Sequence, residues 1–404
     1  MHNTSVALPI LIVGGGVAGM QAALNLADSG KQVLLVEQDS FLGGQVMRLD
    51  KVYPTDHCAF CPVWPYAKAC RNHPGISVHT RSRFVRMENE SNEKKAIIVR
   101  TLPPVDPEAC VFCGRCLAVC PQKAILSHPA DLPWDPAAPP AAFIDASLCD
   151  ACGKCVSVCP TGAIDLSRHT ANQQETLCIP VSDCIFAGGF YEPKPGPAPE
   201  YGAHTHPDIL TAMAFEAWTA EFRPNGASRP LCPSDERPVT SIAFLQCAGA
   251  RDKRYLAHCS AVCCMHAAKQ ALWMKRRFPE MNISIFYTDL RGPGKGQENY
   301  LRRAEQAGVH LFRRRPGLVS PLDPEMKKGI LVRHEHNDKV VSTLTDVVVL
   351  NGGLASCPDL AEAALIRGRT CGFCKEPADI AQSVIQGADA ASRVITDQAE
   401  VDHA

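Results

Sequence analysis

Two consecutive cysteine runs constrain this chain more than any other feature. They read Cys110-x2-Cys113-x2-Cys116-x3-Cys120-Pro121 and Cys149-x2-Cys152-x2-Cys155-x3-Cys159-Pro160. Each has the spacing that presents several thiolates to one [4Fe–4S] cubane, and in paired runs the fourth cysteine of each ligates the other cluster. The expected ligand sets are therefore Cys110, Cys113, Cys116 and Cys159 for one cluster, and Cys149, Cys152, Cys155 and Cys120 for the other. Pro121 and Pro160 end the short helical turns. A zinc ribbon would use two CxxC pairs instead of two four-cysteine runs. Two neighbouring clusters would carry electrons one at a time.

The chain has 404 residues, enough for two or three domains with their own cores, and 21 cysteines. Its formal net charge is −1, so no basic excess points to nucleic acid or to an anionic membrane. The longest apolar runs, residues 10–13 and 347–350, are strand-length, so membrane association is expected only through a partner. No charged segment leading into an apolar stretch reads as a secretory signal. Many cysteines without such a signal argue for metal ligation in a reducing compartment, which predicts a cytoplasmic protein.

Residues 9–39 read PILIVGGGVAGMQAALNLADSGKQVLLVEQD. An apolar strand runs into Gly14-x-Gly16-x-x-Gly19, then an amphipathic helix, then a second strand ending at Glu37. The glycines allow the tight turn and let the backbone approach a pyrophosphate. The helix N-terminus supplies N–H groups and the positive end of a dipole for that anion. Glu37 lies where a carboxylate can accept ribose hydroxyls. Gly43, Gly44 and Gln45 follow at once, and a glycine-rich loop here suits FAD better than NAD.

Further along, residues 84–100 pattern as a strand pair and 101–109 as a linker into the cysteine-run module. A Pro/Ala loop, Pro133 to Pro140, separates the two runs. VSDCIFAGGFYEP at 181–193 reads as the strand returning to the first unit. The expected fold is α/β: two Rossmann-like units in a flavoprotein core, with an inserted two-cluster ferredoxin domain. The expected division is 1–100 for the first part of the FAD unit, 101–175 for the ferredoxin insertion, 176–235 for the FAD continuation, 236–340 for the second Rossmann-like unit, and 341–404 for the C-terminal part of the FAD unit. The second unit lacks a glycine fingerprint. Its place is taken by a stretch holding Cys247, Cys259, Cys263 and Cys264. Four thiolates near a helix N-terminus favour a further cluster, because the dipole stabilises a negative site. Buried inert cysteines are the plainer reading of the irregular spacing.

The order of GGGVAGMQAAL, YPTDHCAFC, the inserted ferredoxin, FLQC…CSAVCCMHAAKQA, YTDLRGPGKGQENYLRRA and CKEPADIAQSV resembles the flavin-bearing A subunits of heterodisulfide reductases. The resemblance covers nearly the whole chain, and residues 259–271 are its most specific part. It implies a thioredoxin-reductase-like core with one FAD and several [4Fe–4S] clusters, working among other redox subunits of a complex, with homodimerisation allowed. It implies that Cys247, Cys259, Cys263 and Cys264 hold a cluster beside the flavin. It also implies that Lys269 approaches the N5 edge of the isoalloxazine, as the residue acting on the flavin. The stretch Cys374-Lys-Glu-Pro377-Ala-Asp379-Ile380 departs from the family's usual Gly-Pro-Lys-Asp-Ile, yet Asp379 keeps a position suited to contact the FAD ribityl chain and pyrophosphate.

Cys58, Cys61 and Cys70 give a CxxC pair plus a third thiol, either a further cluster completed by His57, His73 or a partner's cysteine, or packing near the flavin. His258 and His266 read as hydrogen-bonding neighbours of the irregular cysteine set. Residues 313–315, three arginines, read as a solvated face. The functional expectation is an electron-transfer subunit linking FAD, three or more clusters and partner subunits, with flavin-based bifurcation as one mode of operation. The competing readings are a self-contained NAD(P)H oxidoreductase, as in glutamate synthase small subunits, and a redox sensor. The missing glycine fingerprint weighs against the first, and the lack of a DNA-binding signal against the second.

Overall fold

The computed structural model describes residues 7–402 apart from 91–92, 108, 127–140, 146–147, 170–173, 194–198, 203–205, 221–228, 323–328, 358–359 and 361–368. The expected loop at 133–140 lies outside the described residues.

The first unit is built on a five-stranded parallel sheet. Its order is Arg369–Thr370, Asp183–Phe186, Ile10–Val13, Val33–Val36, Ile76–His79. The strands Ile10–Val13 and Val33–Val36 are short and wholly apolar, as expected for a sheet covered on both faces. The helix Val17–Asp28 covers one face together with Phe60–Asn72 and the last helix, Ile380–Asp402. These helices approach closely because small residues allow it. A Cβ on Gly387 would sit 2.3 Å from the carbonyl oxygen of Ala18. A three-stranded antiparallel sheet, Gln174–Val181, Glu93–Thr101 and Ser82–Glu90, covers the other face.

Thr101 pairs directly with Gln174. The chain therefore leaves this sheet and returns to it at adjacent positions, so the intervening segment is an insertion. The insertion has its own small core of Val105, Ile125, Ala142, Ile144, Cys155 and Ile164, against which five further cysteines pack. Its two short helices, Arg115–Val119 and Lys154–Val158, occupy equivalent positions in the two cysteine runs. Each begins after a glycine with left-handed φ, Gly114 at 73° and Gly153 at 76°. Side chains rarely tolerate that φ, and glycine does.

The second unit is another five-stranded parallel sheet, ordered Ile209–Thr211, Val347–Asn351, Ser241–Gln246, Asn282–Phe286, His310–Phe312. The helices Ala212–Ala220, Cys263–Arg277 and Gln297–Gln306 pack on it. This unit reaches beyond the limits of 236 and 340 expected from the sequence. The strand Ile209–Thr211 and the core residues Phe215 and Cys232 already belong to it, and Val347–Asn351 lies inside its sheet. An all-apolar strand carries no face pattern to say which of two parallel sheets receives it.

The third glycine of the fingerprint serves packing. A Cβ on Gly19 would lie 1.9 Å from the carbonyl oxygen of Gly14. Gly19→Ala should therefore lower stability by about 1–3 kcal/mol, the usual cost of overpacking, read as a lower urea midpoint at constant slope. An unchanged midpoint would show that this strand–helix contact yields without cost.

Candidate functional site

A cleft opens at the C-terminal ends of the first sheet. Gly14, Gly16, Glu37, Gly43, Gly44, Gln45 and Asp379 all line it. Gly14 has φ 107°, and a Cβ there would strike the Ala187 carbonyl at 2.3 Å. A Cβ on Gly16 meets nothing within 4 Å, so this glycine leaves open the space a pyrophosphate needs beside the helix N-terminus. The Gly43–Gly44 turn has left-handed φ at both residues and docks on the fingerprint, with Gly43 N donating to Gly15 O at 2.8 Å.

Glu37 is buried. Its Oε2 accepts from Gly15 N at 2.7 Å and its Oε1 from Asp39 N at 2.8 Å. Burial pushes its carboxyl up to about 7, against the lowering by those N–H groups. Asp379 caps the last helix: its Oδ1 accepts from Gln382 N at 2.8 Å, while Asp379 N donates to Gln382 Oε1 at 3.1 Å. This reciprocal cap fixes the carboxylate at the cleft. Ser82, Arg83, Phe84 and Cys357 also line the cleft. No motif in the sequence singled them out, because they arrive from other elements.

Two smaller cavities lie in the insertion. One is lined by Cys110, Cys113, Cys116 and Cys159, the other by Cys120, Cys149, Cys152 and Cys155. The fourth cysteine of each run thus faces the cavity of the other run, which is the crossed arrangement of paired cubanes. Among the described residues, no three or more His, Cys, Asp or Glu converge tightly enough for a single metal ion. Sets of four thiols around a cavity suit a cluster, whose ligands stand further apart.

In the second unit, Cys247 follows the strand Ser241–Gln246 in a left-handed conformation, φ 55°, and Cys263 and Cys264 open the helix Cys263–Arg277. Cys247, Cys259, Cys263 and Cys264 lie within electrostatic reach of one another. Burial pushes the Cys263 thiol up to about 12 and Cys264 to about 11, and the neighbouring thiols add to this. Such thiols stay protonated until a metal takes the proton's place. Cys264 Sγ donates to Asp289 O at 3.7 Å. His258 Nε2 lies 3.2 Å from Leu354 O, a backbone partner.

Lys269 does not line the cleft, where the resemblance would bring it to the isoalloxazine, and it is not on a solvated face, being 4% exposed. Its Nζ donates to both carboxylate oxygens of Glu216 at 2.8 Å. A buried ammonium requires a counter-ion, and Glu216 supplies it from 53 residues away. Burial alone would raise the Glu216 carboxyl. The Lys269 ammonium, His266 and the Asp50 N–H hold it well below the usual range. Asp50 N donates to Glu216 Oε1 at 2.8 Å, joining a loop of the first unit to the second.

Cys58 and Cys61 adjoin at the start of the helix Phe60–Asn72. Burial would raise the Cys58 thiol, but the N–H groups of Cys61 and Phe60 and the Cys61 thiol bring it below its ordinary value. Cys70 is not with them. It stands nine residues beyond Cys61, about 13 Å along the helix, buried in the first core with Sγ donating to Met20 O at 3.7 Å. The three thiols are therefore not assembled as one ligand set, because the helix carries Cys70 to the opposite end.

Fold and site together define a flavoprotein with FAD and [4Fe–4S] clusters. The FAD dependent oxidoreductase family matches residues 9–113, and the 4Fe-4S binding domain matches 103–126 and 142–165. Thioredoxin reductases share the fold: that of Lactococcus lactis superposes with TM-score 0.54 at 14% identity, covering 96% of this chain and 98% of that one. The thioredoxin reductase of T. acidophilum gives 0.55 at 11% identity, covering 97% and 99%. By sequence, the chain resembles the A subunits of heterodisulfide reductases. It is 34% identical to the second iron-sulfur A subunit of the CoB–CoM heterodisulfide reductase of Methanopyrus kandleri, over 96% of this chain and 64% of the relative. It is 33% identical to the iron-sulfur A subunit of the Methanocaldococcus jannaschii enzyme, over 91% and 57%. It is 34% identical to the A subunit of the H(2)/formate:CoB-CoM heterodisulfide,ferredoxin reductase of Methanococcus maripaludis, over 89% and 55%. The chain thus spans a little over half the length of these relatives.

Two outcomes follow from this geometry. Gly16→Val should fold and keep its iron, since φ −73° suits valine and a Cβ there meets no protein atom within 4 Å, but it should lose FAD. An FAD-replete variant would place the flavin elsewhere. Glu216→Ala should cost about 3–5 kcal/mol by leaving Lys269 charged and unpaired, and the double change Glu216→Ala/Lys269→Met should recover most of that in a double-mutant cycle. Additive losses would show that the two side chains are not coupled.

Proposed function

We propose that this chain is the electron-transfer subunit of a multi-subunit, cytoplasmic oxidoreductase, linking one FAD, three [4Fe–4S] clusters and redox partner subunits. The fourfold cysteine set of the second unit carries the reading. Where a self-contained reductase would bind a nicotinamide nucleotide with a glycine turn, this chain has Cys247 after the central strand and Cys263 and Cys264 at the helix start. Gly14, Gly16, Glu37, Gly43, Gly44, Gln45 and Asp379 would hold the FAD. The crossed sets in the insertion would hold two clusters, and Cys247, Cys259, Cys263 and Cys264 the third. Bound there, the flavin exchanges electron pairs and the clusters single electrons.

The chain's own residues contribute position and charge. The glycine turns would admit the pyrophosphate and Glu37 would hold the ribose hydroxyls, while Asp379 is held in place by its cap. The four thiols of the second unit lie at strand and helix ends and on the connection between them, which keeps their spacing. No helix among the described residues is long and apolar enough to cross a membrane, so docking to a membrane would go through a partner. The names of the relatives make a heterodisulfide and ferredoxin the reaction partners of those proteins. For this chain the corresponding substrates are proposed at the level of a disulfide and a low-potential one-electron carrier.

Iron analysis of the reconstituted protein should give about twelve irons per chain, four for each cluster, with one FAD. A content of about eight irons, four for each of two clusters, would remove the third. The isolated protein should not reduce artificial dyes with NADH or NADPH in steady state. Turnover with either would favour the self-contained reductase.

A further inference from the structure

A charged triad flanks the second unit's cysteine set and has no part in forming the sheet or the dinucleotide cleft. Asp289 follows the strand Asn282–Phe286. Its backbone carbonyl accepts the Cys264 thiol at 3.7 Å. Its carboxylate holds two guanidinium groups: Arg251 on Oδ1, and Arg291 through Nε on Oδ2 at 3.1 Å. Arg251 stands within electrostatic range of Cys247, and Arg291 within electrostatic range of Cys259. Two cations and one anion thus bear on three of the four thiols. Arg251 holds a left-handed backbone, φ 60°, a conformation that costs an arginine free energy and persists where the surroundings enforce it.

We propose that Arg251 and Arg291, placed by Asp289, set the reduction potential of the cluster held by Cys247, Cys259, Cys263 and Cys264. This rests on the reading that those four cysteines carry a cluster. A cubane with four thiolates is net negative, and each electron it accepts adds one further negative charge with no proton required. Cations and N–H donors at its sulfurs stabilise the reduced form and raise the potential, as charge and sulfur hydrogen bonds do in iron–sulfur sites generally. Asp289 opposes them with one negative charge and fixes where both guanidinium groups stand. The balance of two cations against one anion leaves the triad one positive charge, which draws single electrons from the flavin toward this cluster.

The test is an electron paramagnetic resonance redox titration of the full chain with flavin and clusters in place. Cys259→Ala first identifies the signal that belongs to this cluster. Arg251→Gln and Arg291→Gln should each move its midpoint to more negative potential, by about tenfold in the reduction equilibrium, which is about 59 mV for one electron. Asp289→Asn should move it the opposite way. Arg251→Lys, which keeps the charge, should return most of the loss. The two ferredoxin-type signals should stay where they are in every variant. Unchanged midpoints with iron intact would overturn the proposal. So would shifts of the same sign in all three neutralising variants, or loss of about four irons, one cluster's worth, in them, since either outcome assigns the triad to structure alone. If the parent protein shows no third signal and only about eight irons, the content of two clusters, the cluster reading itself falls, and this inference with it.

Discussion

A carboxylate buried between the two parallel-sheet units decides how they face each other. Glu216 sits on a helix of the second unit, accepts Lys269 Nζ on both oxygens, and takes the backbone N–H of Asp50 from the first. A few residues on, Asp56 of the same loop receives Arg276, Arg303 and Tyr300 from the second unit's helices. The loop 50–56 is therefore clamped at both ends. An ion pair this deep gains little net stability over an apolar pair, because desolvating both charges offsets their attraction. What it provides is direction: hydrogen bonds fix an orientation that apolar contacts leave looser. Electron transfer between sites on two units, as proposed, would need that orientation held.

The same clamp accounts for the position of Tyr53. Its ring packs against the second unit's core, and its phenol is buried where both Asp379 of the cleft and Cys263 and Cys264 of the cysteine set raise its pKa, after burial itself. One side chain thus feels both sites. Tyr53 is within electrostatic reach of both the dinucleotide cleft and the cysteine set, although these are built on different sheets. The two Rossmann units share the chain in an interleaved way, the second being complete before the last strand and helix of the first are added. Here the junction is sealed by charge as well as by packing.

Much of this was legible in the sequence, for a physical reason. The glycine turn and the cysteine runs are local: the residues that do the chemistry are a few positions apart, and the backbone geometry they need is written in the same few positions. Gly14, Gly16, Gly43 and Gly44 therefore come together on one cleft, and the crossed cysteine sets on two cavities. The insertion was legible too, because strand patterns flank it. What the sequence hid is non-local. Nothing near Lys269 announces Glu216, so the sequence does not show this buried ion pair. The strand Val347–Asn351 is almost wholly apolar and suits either sheet equally well until its neighbours are known. Cys70 shares a motif with Cys58 and Cys61, but helical rise carries it into the core.

The cysteine set of the second unit lies between these cases. Cys263 and Cys264 are local to one helix start, whereas Cys247 comes from the end of the preceding strand and Cys259 from the connection between them. Such a set has no fixed spacing, because the length of the connection does not determine where the thiols point. The parallel sheet does. A strand and the helix after it in a Rossmann unit bring the strand's C-terminal end beside the helix N-terminus, the place where a dinucleotide's phosphates bind when the turn is glycine-rich. Replacing that turn with cysteines keeps the geometry and changes the ligand. The positive end of the helix dipole that would face a phosphate faces instead a group of thiols, which would become anions in their turn once a metal took their protons. With a cluster bound there, as proposed, one fold position would pass from binding a hydride carrier to binding a one-electron carrier without moving a strand.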